Sequence, residues 1–215
     1  MNNIFKDFNF TKKYKNELTN FLRKNTTIEM GGEKIFDGSY NHLLHIPEEL
    51  TDLIFYLKKI QKNNKKKFSN YLEIGLNNGI TNSILNRFFH FEKIVAIDPL
   101  GPHINAEVMN ANLRFKNMIL ICNGSETKFT NEILKSLSKF DLIFIDGDHS
   151  YNSVKKDFDL SQKYINKKGI IILHDIFLPN SGPYKLWRDI KSNFKTKEIL
   201  YPKNSFKFGF GIIQT

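Results

Sequence analysis

From Phe68 onward, short apolar β-branched runs alternate with longer amphipathic stretches, and few folds accommodate that alternation. The runs are Tyr71–Ile74, Lys93–Ile97, Met118–Ile121, Leu142–Ile145 and Ile170–Leu173. Between them lie Ile80–Phe89, Ile104–Phe115, Thr130–Leu137 and Ser153–Ile165, whose apolar residues recur at helical spacing. Strands that are continuously apolar belong to a sheet covered on both faces, and strand–helix alternation makes that sheet parallel. A further helix is predicted over Tyr184–Phe194. It is followed by two strands, Lys197–Tyr201 and Phe206–Ile213, joined by a turn at Pro202–Ser205 and therefore antiparallel. The expectation is a doubly wound α/β domain of seven strands, mostly parallel, spanning 68–215.

Residues 1–67 have a different pattern. Helical periodicity runs through Asn16–Arg23 and Glu48–Ile60, with a glycine-containing link at Gly31–Tyr40. They are expected to form a helical cap or lid packed on the sheet, with the Lys62–Lys67 run as an exposed linker. Hydrophobic residues make up 40% of the 215, which is too apolar for disorder. One cysteine, Cys122, excludes a disulfide scaffold and any cysteine-rich zinc module; it is expected as an inert buried thiol. No apolar stretch approaches the ~18 residues of a membrane span, and Met1–Phe10 does not resemble a secretory signal, so the default compartment is the cytoplasm.

The formal net charge of +10 raises the question of nucleic acid. Only Arg23, Arg87, Arg114 and Arg188 are arginine, the residue that makes bidentate contacts to phosphate and bases. Lysines spread along the chain are better explained as a solvated surface.

The first strand of the α/β region ends in Glu73-Ile74-Gly75-Leu76-Asn77-Asn78-Gly79, and a helix follows at once. Glycines there either serve a tight strand–helix turn or let backbone amides approach a ligand at the sheet's carboxyl edge. The Gly-x-Gly-x-x-Gly fingerprint of dinucleotide enzymes is missing, which argues against a nicotinamide oxidoreductase. The second strand ends in Asp98, which can accept ribose hydroxyls or cap the next segment. After the third strand comes a polar turn, Asn123-Gly124-Ser125-Glu126, suited to an adenine.

Glu73-x-Gly75-x-x-x-Gly79, Asp98 and the later Asp146-Gly147-Asp148-His149-Ser150-Tyr151 together resemble a class I S-adenosylmethionine-dependent methyltransferase. The resemblance covers about residues 40–215. It is strongest to small-molecule O-methyltransferases with the Asp-Gly-Asp-His-Ser-Tyr motif, a branch that includes sugar and natural-product methyltransferases. It implies a Rossmann-like sheet and S-adenosylmethionine bound by Glu73, Gly75, Asn77, Gly79, Asp98, Ser125, Glu126 and Asp146. The acceptor it implies is a hydroxylated small molecule, and a homodimer fits a methyltransferase of this size.

The strand after the motif runs into His174-Asp175, so adjacent parallel strands bring Asp146 and Asp175 to one edge. Facing carboxylates need a proton or cation between them, and a hard divalent ion such as magnesium fits. Asp146, His174 and Asp175 are the candidate ligands, and Asp146 and His149 the candidate catalytic residues. His149 falls where catechol-type enzymes carry a lysine base. Those enzymes have Asp-Asn where this chain has His174-Asp175, which leaves the metal open; His174 binds it, caps a helix or hydrogen-bonds Asp146. Asp148 binds metal, positions His149 or caps the next helix, and Tyr151 packs or meets substrate.

His42, His45, His90 and His103 show no metal-ligand spacing, although Asp37–Tyr40 and His45-Ile46-Pro47 sit where the resemblance folds a segment over the methyl donor. Trp187 is expected in the core. Two other functions remain in view: an RNA methyltransferase, favoured by the charge, and a nucleoside-binding partner subunit without catalysis, which would not need Asp146, His149 and Asp175.

Overall fold

A computed structural model describes residues 7–36, 42–102, 104–113, 117–201 and 207–215. Seven strands form one sheet: β1 (Asn70–Ile74), β2 (Lys93–Ile97), β3 (Met118–Ile121), β4 (Phe140–Ile145), β5 (Ile165–His174), β6 (Lys195–Ile199) and β7 (Phe210–Gln214). The helices are α1 (Lys12–Arg23), α2 (Pro47–Asn64), α3 (Ile80–Phe89), α4 (Ala106–Asn112), α5 (Lys128–Ser136), α6 (Tyr151–Tyr164) and α7 (Gly182–Ile190). Strand order is β3-β2-β1-β4-β5-β7-β6, with β1 to β5 parallel and β7 antiparallel to both neighbours. This is the expected Rossmann-like sheet. The order reverses at β1, between β2 and β4, which makes the carboxyl ends of these strands the fold's switch point.

Alternate residues of each central strand feed two cores. Leu142 and Phe144 of β4 join Tyr71, Ile170 and Ile172 beneath α1, α2 and α3, where Leu18, Leu53 and Leu85 are fully buried. Ile143 and Ile145 join Leu72, Val95 and Ile171 against Leu134, Phe158 and Trp187 of α5, α6 and α7. Trp187 is core as expected, and its indole N–H donates to Glu198 Oε1 at 2.6 Å. Leu50, Leu53, Ile54 and Leu57 of α2 belong to the first of these cores.

Helix starts follow side-chain caps that periodicity alone does not show. Thr11, Asn105, Thr127, Ser150 and Ser181 each accept an N–H from the first turn of α1, α4, α5, α6 and α7. At the other end, α7 stops at Ile190 and continues only as a 3-10 turn over Lys191–Asn193.

Three expectations need correction. The Lys62–Lys67 run is exposed apart from half-buried Lys66, but it is only partly a linker. It begins inside α2, and Lys66 pairs at 2.8 Å with Asp141, a buried carboxylate that also accepts the Ser69 and Asn70 amides. The last two strands pair over Lys195–Ile199 and Phe210–Gln214 instead of the expected Lys197–Tyr201 and Phe206–Ile213, and beyond them the Tyr201 and Gly209 amides donate to Glu49 of α2 instead of extending the ladder. Cys122 is exposed, just past the end of the edge strand β3. The expected turn at Pro202–Ser205, the segment Asp37–Tyr40, Arg114 and His103 lie outside the described residues.

Candidate active site

The carboxyl ends of β1, β2, β4 and β5 carry the polar residues picked out above. Gly75 follows β1 at φ +87, and a Cβ built on it would stand 2.1 Å from the Asp146 carbonyl oxygen. Only glycine lets the β1 and β4 ends lie side by side here. Asp98 Oδ2 accepts the Asn77 amide at 2.8 Å and Oδ1 accepts the Leu100 amide at 2.7 Å, so this carboxylate braces the turn. Gly79 ends the turn at φ +72 as the N-cap of α3.

Glu73 is 1% exposed, and its Oε2 accepts from Tyr71 Oη at 3.0 Å and Asn82 Nδ2 at 2.7 Å. Burial holds its carboxyl up at about 8. In the turn after β3, Ser125 donates its hydroxyl to Asp157 Oδ1, and burial pushes Asp157 up to about 6. Glu126, beside it, is exposed.

The titratable cluster lies at the ends of β4 and β5. His149 Nε2 meets Asp175 Oδ2 at 2.7 Å, and that hydrogen bond raises the imidazole above its ordinary value despite partial burial. The His149 carbonyl accepts the Gly182 amide at 2.7 Å, which ties its loop to the start of α7. His174 Nδ1 lies 3.0 Å from Asp146 Oδ1 and 3.4 Å from Asp175 Oδ1. Burial alone would pull the His174 imidazole down, but Asp175 and Asp146 overcome it and hold it up to about 9. Burial likewise works to raise Asp146, and His174 overrides it, so Asp146 sits below its ordinary value.

Two overlapping trios each offer one ligand atom per residue within 4.8 Å: Asp146, His149 and Asp175; and His45, Asp146 and His174. The expected set of Asp146, His174 and Asp175 is divided between them, with Asp146 in both. His45 is the residue the sequence did not reveal. Its Nδ1 lies 3.2 Å from His174 Nε2 and its Nε2 lies 2.9 Å from Thr81 Oγ1. Burial depresses it to about 4. It stands 129 positions from His174, so no spacing rule links the two; the one signal was a histidine placed just before the Pro47 start of α2.

Asp148 and Tyr151 fall outside the cluster. Asp148 Oδ1 accepts the Ser150 amide at 2.7 Å, Ser150 itself caps α6, and the Tyr151 hydroxyl donates to Asp189 at 2.8 Å.

A doubly wound sheet with a glycine turn, an acid after β2 and this cluster at one edge is a Rossmann-like fold with a polar site at its carboxyl edge. A family described as a methyltransferase domain matches residues 72–176 of this chain. Uncharacterized protein R132 of Acanthamoeba polyphaga mimivirus is 29% identical over 149 residues, which cover 66% of this chain and 63% of that protein. The match thus spans less than two thirds of the relative's length. Among solved structures, the O-methyltransferase TomG of Streptomyces achromogenes, in complex with S-adenosylmethionine, has a TM-score of 0.60 at 14% identity, covering 93% of this chain and 90% of TomG. An rRNA methylase of Streptococcus thermophilus has 0.57 at 10%, covering 78% and 96%. The N-methyltransferase NodS of Bradyrhizobium japonicum has 0.54 at 13%, covering 76% and 94%. Their acceptors differ, so the shared fold leaves the acceptor to the site. Among the described residues no helix is long and apolar enough to cross a membrane.

Proposed function

We propose that this chain transfers the sulfonium methyl of S-adenosylmethionine to a hydroxyl of a small, sugar-like or natural-product-like molecule, with a divalent cation at the site. The observation that carries the reading is the convergence of Asp146, His149 and Asp175 within 4.8 Å at the edge where the glycine turn lies. A nucleoside held there would meet Asp98, the backbone from Gly75 through Asn77 to Gly79, and the turn of Ser125 and Glu126. Glu73 supports this turn from beneath through Asn82 of α3.

With His149 Nε2–H donated to Asp175 Oδ2, Nδ1 carries the lone pair. The His149 side chain is half exposed, so Nδ1 can take the proton of an acceptor hydroxyl as its oxygen attacks the methyl carbon in line with sulfur. The C–O bond forms, the C–S bond breaks, and the proton stays on His149 until solvent removes it. Asp175 holds the imidazolium in place. The donor set fits a cation: Asp175 Oδ1 is buried without a hydrogen-bond donor, and Asp146 and His174 lie beside it. Asp146 and Asp175 would hold the ion, which would orient the hydroxyl and lower its pKa.

Calorimetric titration of S-adenosylhomocysteine, with and without magnesium, tests the first half. Micromolar binding that Asp98→Ala abolishes is expected, followed by methylation of a hydroxylated acceptor that Asp146→Ala and His149→Ala abolish. Absence of binding in both conditions rejects the reading in favour of a non-catalytic partner subunit. The net charge of +10 is the observation behind a second reading, methylation of RNA. Salt-dependent RNA binding, with methyl incorporated into RNA and not into small acceptors, would establish that alternative.

A further inference from the structure

Asp157 is a buried carboxylate for which the reaction above has no use. It lies in the second turn of α6 and is 4% exposed, on the helix face that Val154 and Phe158 anchor in the core. Ser125, in the turn after β3 and 8% exposed, donates its hydroxyl to Oδ1. The direction of that bond is fixed, because an ionised carboxylate only accepts. Oδ2 receives no hydrogen bond among the described residues. A buried carboxylate oxygen without a donor is an unfilled place for one.

The space beside Oδ2 is open because residue 147 is glycine. A Cβ built on Gly147 would stand 3.4 Å from Oδ2, with the next nearest atoms, both of Ile74, at 3.9 Å. Those are ordinary contact distances, and Gly147 is not among the glycines held at positive φ. In contrast to Gly75, neither close packing nor backbone conformation therefore demands a glycine here. What its missing side chain provides is clearance. Ser125, Gly147 and Ile74 lie at the carboxyl ends of β3, β4 and β1, where the polar turn after β3 is placed to meet a base. Glu126 and Asp148 make the surroundings of Asp157 more negative, with Lys156 opposing them. Such a place favours a group that presents hydrogen over one that presents oxygen.

We propose that Asp157 reads the base of the methyl donor: Oδ2 accepts a hydrogen of the exocyclic amino group of adenine across the clearance at Gly147, while Ser125 holds Oδ1. The site then takes a 6-aminopurine and rejects a 6-oxopurine, whose oxygen would face the carboxylate. The amino hydrogen is the donor that the buried oxygen lacks. This inference rests on the S-adenosylmethionine reading above and deepens it, through a residue of α6 that lies outside the turns at the strand ends.

The test is calorimetric titration of S-adenosylhomocysteine and of S-inosylhomocysteine, its 6-oxo analogue, at pH 8, above the value of about 6 at which Asp157 titrates. The unaltered chain is expected to bind the amino compound at least about 100-fold more tightly than the oxo compound. Asp157→Asn can turn either end of its amide toward the base. It should bring the two affinities within about tenfold and bind the oxo compound more tightly than the unaltered chain does. Gly147→Ala sets a methyl 3.4 Å from Oδ2 and should weaken the amino compound about tenfold to a hundredfold, the loss of one hydrogen bond to a charged group. A merely structural role for Asp157 would lower both affinities together and leave their ratio unchanged. A ratio in Asp157→Asn equal to that of the unaltered chain overturns the proposal, as does an unaltered chain that binds the two compounds equally. Should Asp157→Asn fail to fold, Gly147→Ala decides, and affinity within twofold of the unaltered chain's overturns the proposal. Either of these failures leaves methyl transfer standing, because S-adenosylhomocysteine still binds. Binding of neither compound to the unaltered chain rejects the donor reading and this inference with it.

Discussion

His149 Nε2 stands 2.7 Å from Asp175 Oδ2 across the ends of two adjacent parallel strands. The Gly182 amide holds the His149 carbonyl from the other side, so the ring is oriented by its backbone and by its carboxylate partner. In the role proposed for His149, a base oriented in this way contributes about 10²–10⁴-fold to a proton-coupled step. His149→Ala should lower kcat by that factor while S-adenosylhomocysteine affinity, measured calorimetrically, stays within twofold. A tenfold loss of affinity would make His149 a binding residue instead.

Glu73 makes the stability of the chain depend on pH. Its carboxyl titrates near 8 in the fold against 4.5 unperturbed, because burial disfavours the charge. With the folded value raised, its contribution is fully present below about 4.5 and is lost as pH rises through about 8. Glu73→Gln removes that loss. Urea midpoints of the variant and the parent should differ little at pH 5, and the variant should lead by a few kcal/mol, to order of magnitude, at pH 9. Equal gaps at both values would mean that Glu73 is charged throughout.

Gly75→Ala places a methyl 2.1 Å from the Asp146 carbonyl oxygen at a φ of +87. Neither a rotamer change nor a small shift relieves a backbone contact of that kind, so a cost above about 2 kcal/mol is expected, read as a drop in unfolding midpoint. Because β4 must move to admit the methyl, the His174–Asp146 hydrogen bond should also break, which would appear as a changed imidazole shift in NMR spectra. An unchanged midpoint would show that the two strand ends part easily.

Glu49 collects the Tyr201 and Gly209 amides at 2.9 and 3.1 Å and so ties the β6–β7 connection to α2. Glu49→Ala leaves two donors without their acceptor, at about 1–3 kcal/mol for each that stays buried. Hydrogen exchange at Gly209 should accelerate at least tenfold, while exchange in β1 keeps pace with global stability. Protection at Gly209 equal to the parent's would place its acceptor elsewhere.

What the sequence determined by itself was everything governed by local period and by strand ends. Runs such as Leu142–Ile145 are apolar at every position because both faces of β4 are covered, so sheet, order of elements and parallel sense could be read directly. Asp98, Asp146, His149, His174 and Asp175 were legible because polar residues directly after buried strands have to lie at the carboxyl edge. Helix starts were less so, since caps such as Thr127 and Ser150 act through a single hydrogen bond and leave no periodic trace. Tertiary structure alone decided the pairings. It took His45, separated by 129 positions from His174, to that ring; it set Lys66 against Asp141 and turned the Tyr201 and Gly209 amides onto Glu49. It also left Asp175 Oδ1 without a donor. Contacts of this kind depend on the closure of long loops and the packing of distant elements, which neither period nor spacing encodes.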